Sequence, residues 1–139
     1  MREDAQVLLT WNKNLQTWIP VGGHIDPGET PEEAIIREVA EETGFEFEFL
    51  NESQMLAEGK LRIIKPSHIQ IENVPHHNKH INITFVGKCT KLTDKQETDE
   101  NEKLKWFSKS ELLEMKGKML ENVRNNALEA ISLVSKPNV

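Results

Sequence analysis

Between Gly23 and Phe45 the chain reads GHIDPGETPEEAIIREVAEETGF, a segment holding seven carboxylates and one arginine. Glu38, Glu41 and Glu42 stand at spacings i,i+3 and i,i+4, so on a helix their carboxylates stack above one another. Each such like-charge pair costs about 0.2–0.5 kcal/mol at an exposed site. A solvated acidic face is the plain reading of a charge run, and three features weigh against it here. Glu41 and Glu42 fall in the last turn before Gly44, where the helix dipole disfavours acids. Arg37 is the one base in the segment. The glycine-rich loop before the helix can bring backbone carbonyls to the same face. A hard divalent cation accounts for all three. Mg2+ and Mn2+ take oxygen ligands and keep several waters, and those open positions accept phosphate oxygens. An acidic protein thereby becomes a binder of anionic phosphate.

Composition fits that chemistry. The chain has 139 residues and a net charge of −6. That length suits one domain over residues 1–139, long enough to bury a core. The acidic balance gives no attraction for a nucleic-acid polymer or an anionic membrane. No run of about 18 apolar residues is present, so no membrane span is expected. Cys89 is the single cysteine. No disulfide framework can form within the chain, and a reducing cytoplasm is the expected compartment.

The elements that must position the acids are legible from period and punctuation. Residues 5–11 (AQVLLTW) read as a strand, Asn12 to Asn14 as a turn, and LQTWIPV as the hairpin partner. Gly22 and Gly23 end it, and Asp26, Pro27 and Gly28 make a tight loop. The acidic helix begins with Thr30 as N-cap, Pro31 at the first position and Glu33 closing a capping box. Gly44 ends it. On a helical wheel Ile35, Ile36, Val39 and Ala40 fall on the side that should meet a sheet, with the three glutamates roughly opposite. FEFEF (45–49), LRII (61–64), HIQIENV (68–74) and HINITFVGK (80–88) read as strands, with HHNK as a turn. TDKQETDENE (93–102) is a polar loop. Trp106 and Phe107 end a short strand. Ser108 and Glu111 cap a short helix, and a last helix runs from Glu121 to Ser135 with Val123, Ala127, Ile131 and Val134 on one face. Strands and helices in this order predict an α/β sandwich with a mixed sheet between helices.

The residues also carry a family resemblance. Gly23, five residues, Glu29, seven residues, then Arg37-Glu38-Val39-Ala40-Glu41-Glu42-Thr43-Gly44-Phe45 resembles the Nudix box, with every specified position filled. The resemblance implies an α/β/α sandwich and hydrolysis of a nucleoside diphosphate linked to another moiety, with Mg2+ or Mn2+ as cofactor. It implies Glu38, Glu41 and Glu42 as metal ligands, with the Gly23 carbonyl as a further one. It implies that Arg37 holds the glutamates by charge-assisted hydrogen bonds and that Glu29 partners Arg37. A box glutamate, Glu41, is the first candidate for the general base. Glu100, in the acidic loop before Trp106, is the second, with Glu97, Asp99 and Glu102 close by.

Two departures from the family pattern stand out. The proline of the segment Trp18-Ile19-Pro20-Val21-Gly22-Gly23 sits one place early, which changes loop shape. Only Met1 to Ala5 precede the first strand, where the family has a further strand. An edge strand missing there would leave unpaired backbone and favour pairing with a second copy, a homodimer. His76, His77 and His80 read as a polar turn, with a second metal site or a phosphate contact as the sharper alternative. His24 and His68 read as incidental. Trp11, Trp18 and Trp106, like Phe45, Phe47 and Phe49, read as core, and Cys89 as packing. Two other functions compete with hydrolysis: a non-catalytic sensor of a nucleotide ligand, and a prenyl diphosphate isomerase, which would need a catalytic cysteine.

Overall fold

Apolar residues alternate through QVLLTWN, and Gln6–Asn12 forms strand β1. Its hairpin partner β2 spans Thr17–Pro20. The turn between them is held by Leu15 N–H donating to Asn12 Oδ1 at 2.8 Å. Gln16 takes the left-handed conformation there, with φ 53°. The structure, a computed structural model, describes residues 5–50, 54–55, 61–62, 64–73, 79–92 and 104–135. Helix α1 spans Pro31–Thr43 and runs directly into β3, Phe45–Phe49. Short strands β4 (Gln54–Met55) and β5 (Leu61–Arg62) pair with each other. Strands β6 (His68–Asn73), β7 (Lys79–Thr84), β8 (Gly87–Leu92) and β9 (Leu104–Ser108) follow. Helices α2 (Lys109–Glu114) and α3 (Glu121–Ser135) complete the order.

The fold is α/β, as expected, but the strands are joined differently. Instead of one mixed sheet, the described residues form four antiparallel sheets: β2–β1–β9, β3–β8, β4–β5 and β6–β7. Strand β1 is flanked on both sides, by β2 and β9. Strand β1 is therefore not itself an edge strand. The stretch read as one strand over 80–88 is two. Strand β7 pairs with β6, β8 pairs with β3, and the chain changes partner at Phe85 and Val86. Gly87 starts β8 because nothing larger fits: a Cβ there would come within 2.4 Å of the Glu48 carbonyl oxygen.

The main core lies between the β2–β1–β9 sheet and helices α2 and α3. Leu9, Phe107 and Leu112 are almost fully enclosed, with Met119, Val123, Ala127 and Ile131 around them. Fully burying each such side chain contributes about 1.5–3 kcal/mol. Trp18 packs against this cluster, edge-on to Phe107 at 5.4 Å and to Trp11 at 5.3 Å. Trp106 departs from the core reading. It points away from Phe107 on the alternating strand, is 37 % exposed, and meets Phe45 edge-on. Phe45, Phe47 and Phe49 are half-buried, between exposed Glu46 and Glu48. His68 is not incidental either: its Nε2 lies 2.7 Å from Glu129 Oε2 and ties β6 to α3.

Helix α1 ends as its sequence requires. Gly44 is left-handed, with φ 81°, and its N–H donates to Ala40 O at 3.0 Å. The enclosed Thr43 hydroxyl donates to Val39 O at 2.6 Å and accepts from Phe45 N–H at 3.1 Å, so the end of α1 and the start of β3 form one unit. Val39, Ala34 and Thr43 are buried, while Ile36 is 45 % exposed. The buried stripe is shifted around the helix relative to the expected one. Glu32 sits at its margin and accepts from the Ile64 N–H at 2.9 Å.

Candidate active site

The register of the site is set at the start of α1. Thr30 Oγ1 accepts from Glu33 N–H at 3.2 Å, and Glu33 Oε1 accepts from Thr30 N–H at 2.9 Å. This reciprocal cap, with Pro31 in the first turn, fixes where the helix begins and so the direction of every later side chain.

The loop before it is closed by a second short-range pair. Asp26 N–H donates to Glu29 Oε1 at 2.8 Å, and Glu29 N–H donates to Asp26 O at 3.0 Å. The Glu29 carboxylate is thereby aimed at Arg37. It accepts from Arg37 Nε at 2.7 Å and from Nη2 at 3.0 Å, the two-pronged geometry that makes Arg–carboxylate pairs strong. Arg37 Nη1 donates to Glu38 Oε1 at 2.9 Å and to Glu41 Oε2 at 3.2 Å. Its Nη2 also donates to the His24 carbonyl at 3.0 Å. A guanidinium has five N–H donors, and these contacts engage all of them. The hydrogen bond it donates to Glu29, then that to Glu38, drives the Arg37 pKa still higher. The hydrogen bond from Arg37, then the Asp26 backbone, holds Glu29 below the usual carboxylate range. Both therefore stay charged at neutral pH.

Glu38 lies under the loop, with its side chain 15 % exposed. A Cβ on Gly23 would come within 2.5 Å of its Cδ and Oε1, so the glycine is what lets backbone and carboxylate approach. Glu42 is half-buried beside them. At 100° per residue it lies only about 20° from Ile35, at the edge of the apolar stripe and not opposite it. Burial first, then the Glu38 charge and a Glu38 hydrogen bond, push its pKa up to about 7, while the Gly22 N–H pulls it down. Glu41 is 56 % exposed and is engaged by Arg37.

The structure thus brings Glu38, Glu42 and Gly23 together and joins Glu41 to them through Arg37. Among the described residues no three acidic, histidine or cysteine side chains are already gathered as a metal-holding group. The guanidinium relieves part of the like charge. The donor set nonetheless suits a hard cation: carboxylate oxygens beside a glycine cradle that a side chain would fill. A cavity of about 640 Å3 is lined in part by Ile35, Val39 and Thr43 of α1, and Glu38, Glu41 and Glu42 are not among its lining residues. Cys89 is half-buried and burial raises its pKa, the wrong state for the nucleophile an isomerase would need. Glu100, Glu97, Asp99, Glu102, His76 and His77 lie outside the described residues. Sequence reasoning did not find Asp26 or the His24 carbonyl as partners of Arg37. The i,i+3 spacing of Asp26 and Glu29 in a tight loop was the available signal. His80 was not connected to this loop either, yet its ring lies 6.1 Å from that of His24.

A profile of the NUDIX domain matches residues 1–129. The chain belongs to the Nudix family. A solved structure of a NUDIX-family hydrolase from Clostridium perfringens superposes with a TM-score of 0.77 at 31% identity, over 94% of this chain and 90% of that one. A NUDIX hydrolase from Nitrosomonas europaea shares the fold, with a TM-score of 0.64 at 18% identity over 100% of this chain and 86% of that one. Over 45 residues the chain is 47% identical to a Bacillus subtilis (strain 168) protein provisionally named an 8-oxo-dGTP diphosphatase. That stretch makes up 32% of this chain and 30% of that relative, so the match spans less than a third of the curated protein. The Arg37-centred cluster is where the residues of its Nudix box meet.

Proposed function

We propose that this Nudix hydrolase cleaves a nucleoside diphosphate linked to another moiety, and that Glu38, Glu41, Glu42 and the Gly23 carbonyl hold Mg2+ or Mn2+ for the reaction. The observation that carries the reading is the packing of the Glu38 carboxylate against the Gly23 backbone, with Arg37 holding Glu38 and Glu41 by hydrogen bonds. The bound cation would supply charge neutralisation of the phosphates and polarisation of the attacked phosphorus. Arg37 and Glu29 keep Glu38 and Glu41 in place through the reaction, because neither changes charge near neutral pH. Glu41 is open to water, as a general base must be. Glu100 is the second candidate for that proton, and its substitution tests it.

The substrate class is set by phosphates and not by a polymer, since the chain's net charge of −6 repels an extended polyanion. The name of the Bacillus relative places oxidised nucleoside triphosphates high on the panel to be tried. No helix among the described residues is long and apolar enough to cross a membrane. The single, half-buried cysteine fits a reducing, cytoplasmic setting. The test is formation of the cleaved nucleotide and its phosphorylated co-product (pyrophosphate from the triphosphates) from 8-oxo-dGTP, dGTP, dinucleoside polyphosphates and nucleotide sugars, with and without Mg2+. Metal-dependent cleavage of at least one supports the proposal. Binding without turnover of any would replace hydrolysis with ligand sensing.

A further inference from the structure

Strands β6 and β7 form a sheet of two strands among the described residues. Their register sets Ile69 opposite Ile83, Ile71 opposite Ile81 and Asn73 opposite Lys79, all on one face. The other face holds the pairs His68–Thr84, Gln70–Asn82 and Glu72–His80. An antiparallel sheet with one wet face ordinarily turns its polar side chains to water. Here the order is reversed. The polar face is half-buried and tied to α3: His68 meets Glu129 at 2.7 Å, and Gln70 Oε1 accepts from Asn126 Nδ2 at 3.4 Å. The isoleucine face is turned to solvent. Ile69 is 66 % exposed, Ile71 71 % and Ile81 72 %, the three barest large apolar side chains among the described residues. A sheet of two strands is marginal in water unless an apolar face packs on something, and this one has its apolar face uncovered.

We infer that the face formed by Ile69, Ile71, Ile81 and Ile83 docks on the same face of a second copy of the chain, in a two-fold, face-to-face contact. Charge selects this occupant. The chain carries a net charge of −6, so two copies repel over much of their surface and self-association needs a face without acids. Glu72, the one acid in the two strands, lies on the opposite face and accepts from Asn82 Nδ2 at 3.0 Å. The outer face carries a single charge, Lys79, at the end away from Ile69 and Ile83. A two-fold axis at the Ile71–Ile81 pair lays isoleucine on isoleucine and sends the two Lys79 ammoniums to opposite ends. Each bare isoleucine offers on the order of 100 Å2 of apolar surface, so two copies cover roughly 600 Å2 from these side chains alone. Ile83, Asn73, Lys79 and the strand edges carry the contact toward about 1,000 Å2, the lower bound of a specific interface. The dimer is therefore reversible and concentration-dependent. A membrane is the poorer occupant, because the same net charge opposes anionic lipid.

The inference goes beyond the hydrolase reading, and its test needs no turnover. Sedimentation equilibrium of the full chain, from about 1 µM to about 500 µM, reads the mass in solution. The wild type is expected to pass from one chain toward two across that range. Ile81→Lys sets two like charges across the axis and is expected to weaken the dimer at least about 100-fold. Ile81→Thr keeps a β-branched residue on the strand and is expected to weaken it on the order of 10-fold, which keeps the test decisive should the lysine variant not fold. Leu113→Lys, at a position on α2 that is 51 % exposed, should leave association unchanged. Circular dichroism checks the fold of each variant. A wild type that stays monomeric at the highest concentration overturns the inference, and its co-sedimentation with phosphatidylcholine–phosphatidylserine vesicles would give the face to a membrane instead. A dimer as tight in the folded Ile81 variants as in the wild type, or weakened equally by Leu113→Lys, also overturns it.

Discussion

The Glu38 carboxylate rests against the backbone of Gly23, so close that the first carbon of any side chain there would overlap it, at 2.5 Å from Cδ and Oε1. The contact joins the loop to the acidic helix and sets where a phosphate-bound cation can sit. Gly23→Ala is expected to move the Glu38 carboxylate, because that is the flexible end of the contact. Stability should stay within about 1 kcal/mol of wild type. Turnover should fall at least 10-fold, as a displacement of this order costs a preorganised site. Thermal melting beside steady-state kinetics checks this; normal kcat in the alanine variant would remove the cradle from the account.

Glu42→Gln keeps the shape of the side chain and can still accept from the Gly22 N–H. The fold should be intact and turnover should drop by orders of magnitude, because a neutral amide cannot replace a carboxylate around a divalent ion. Circular dichroism and the rate of nucleotide product formation settle it, and a folded, near-normally active protein counts against Glu42 as a ligand.

The same residue predicts a pH dependence. Its pKa is raised from 4.5 to about 7, chiefly by burial. A raised carboxyl pKa favours the protonated folded form, so its stabilisation is complete below pH 4.5 and is lost as pH rises through about 7. Fully expressed, the shift is worth roughly 3 kcal/mol. Partial exposure screens this to about 1–2 kcal/mol. In EDTA the wild-type Tm should fall between about pH 5 and 8 more than that of Glu42→Gln. Added Mg2+ should raise the wild-type Tm more at the upper end of that range, since the proton must leave before the cation enters. Parallel pH profiles of the two proteins would contradict a Glu42 whose pKa burial has raised.

Arg37→Lys retains one positive charge but offers three donors from a point in place of a five-donor fork. It cannot reach Glu29, Glu38, Glu41 and the His24 carbonyl at once. Supporting residues of this kind typically cost about 10–100-fold in metal affinity or activity when changed. Calorimetric Mn2+ affinity measured alongside kcat should show the loss; unchanged values of both would mean that the glutamates hold their positions unaided.

Away from the site, Leu112 is fully enclosed between β9 and the C-terminal helices. Leu112→Ala should cost about 2–5 kcal/mol of stability by leaving a cavity. Activity per folded molecule should be preserved. Urea unfolding with activity assayed below the transition checks both halves.

Much of this was readable before any coordinates. The Thr30–Glu33 and Ser108–Glu111 caps, the Gly44 stop and the alternation of FEFEF depend on contacts a few residues long, and each is present as expected. The last helix likewise spans Glu121–Ser135, with Val123, Ala127 and Ile131 buried. The long apolar stretch over 80–88 misled because period two is the same on both sides of Phe85 and Val86. Only the change of partner, from β6 to β3, distinguishes two strands from one. Ile36 and Trp106 misled because periodicity names a face without saying what will cover it.

By itself the amino-acid sequence determined the box, its helical register and therefore the class of chemistry, because those follow from local hydrogen bonding and a 3.6-residue repeat. The tertiary structure alone decided that Glu42 is half-buried beside Glu38, that Arg37 has no donor left, and that His80 meets His24. Each depends on which distant segments pack against the loop and helix, and burial and proximity of that kind leave no mark on residue spacing.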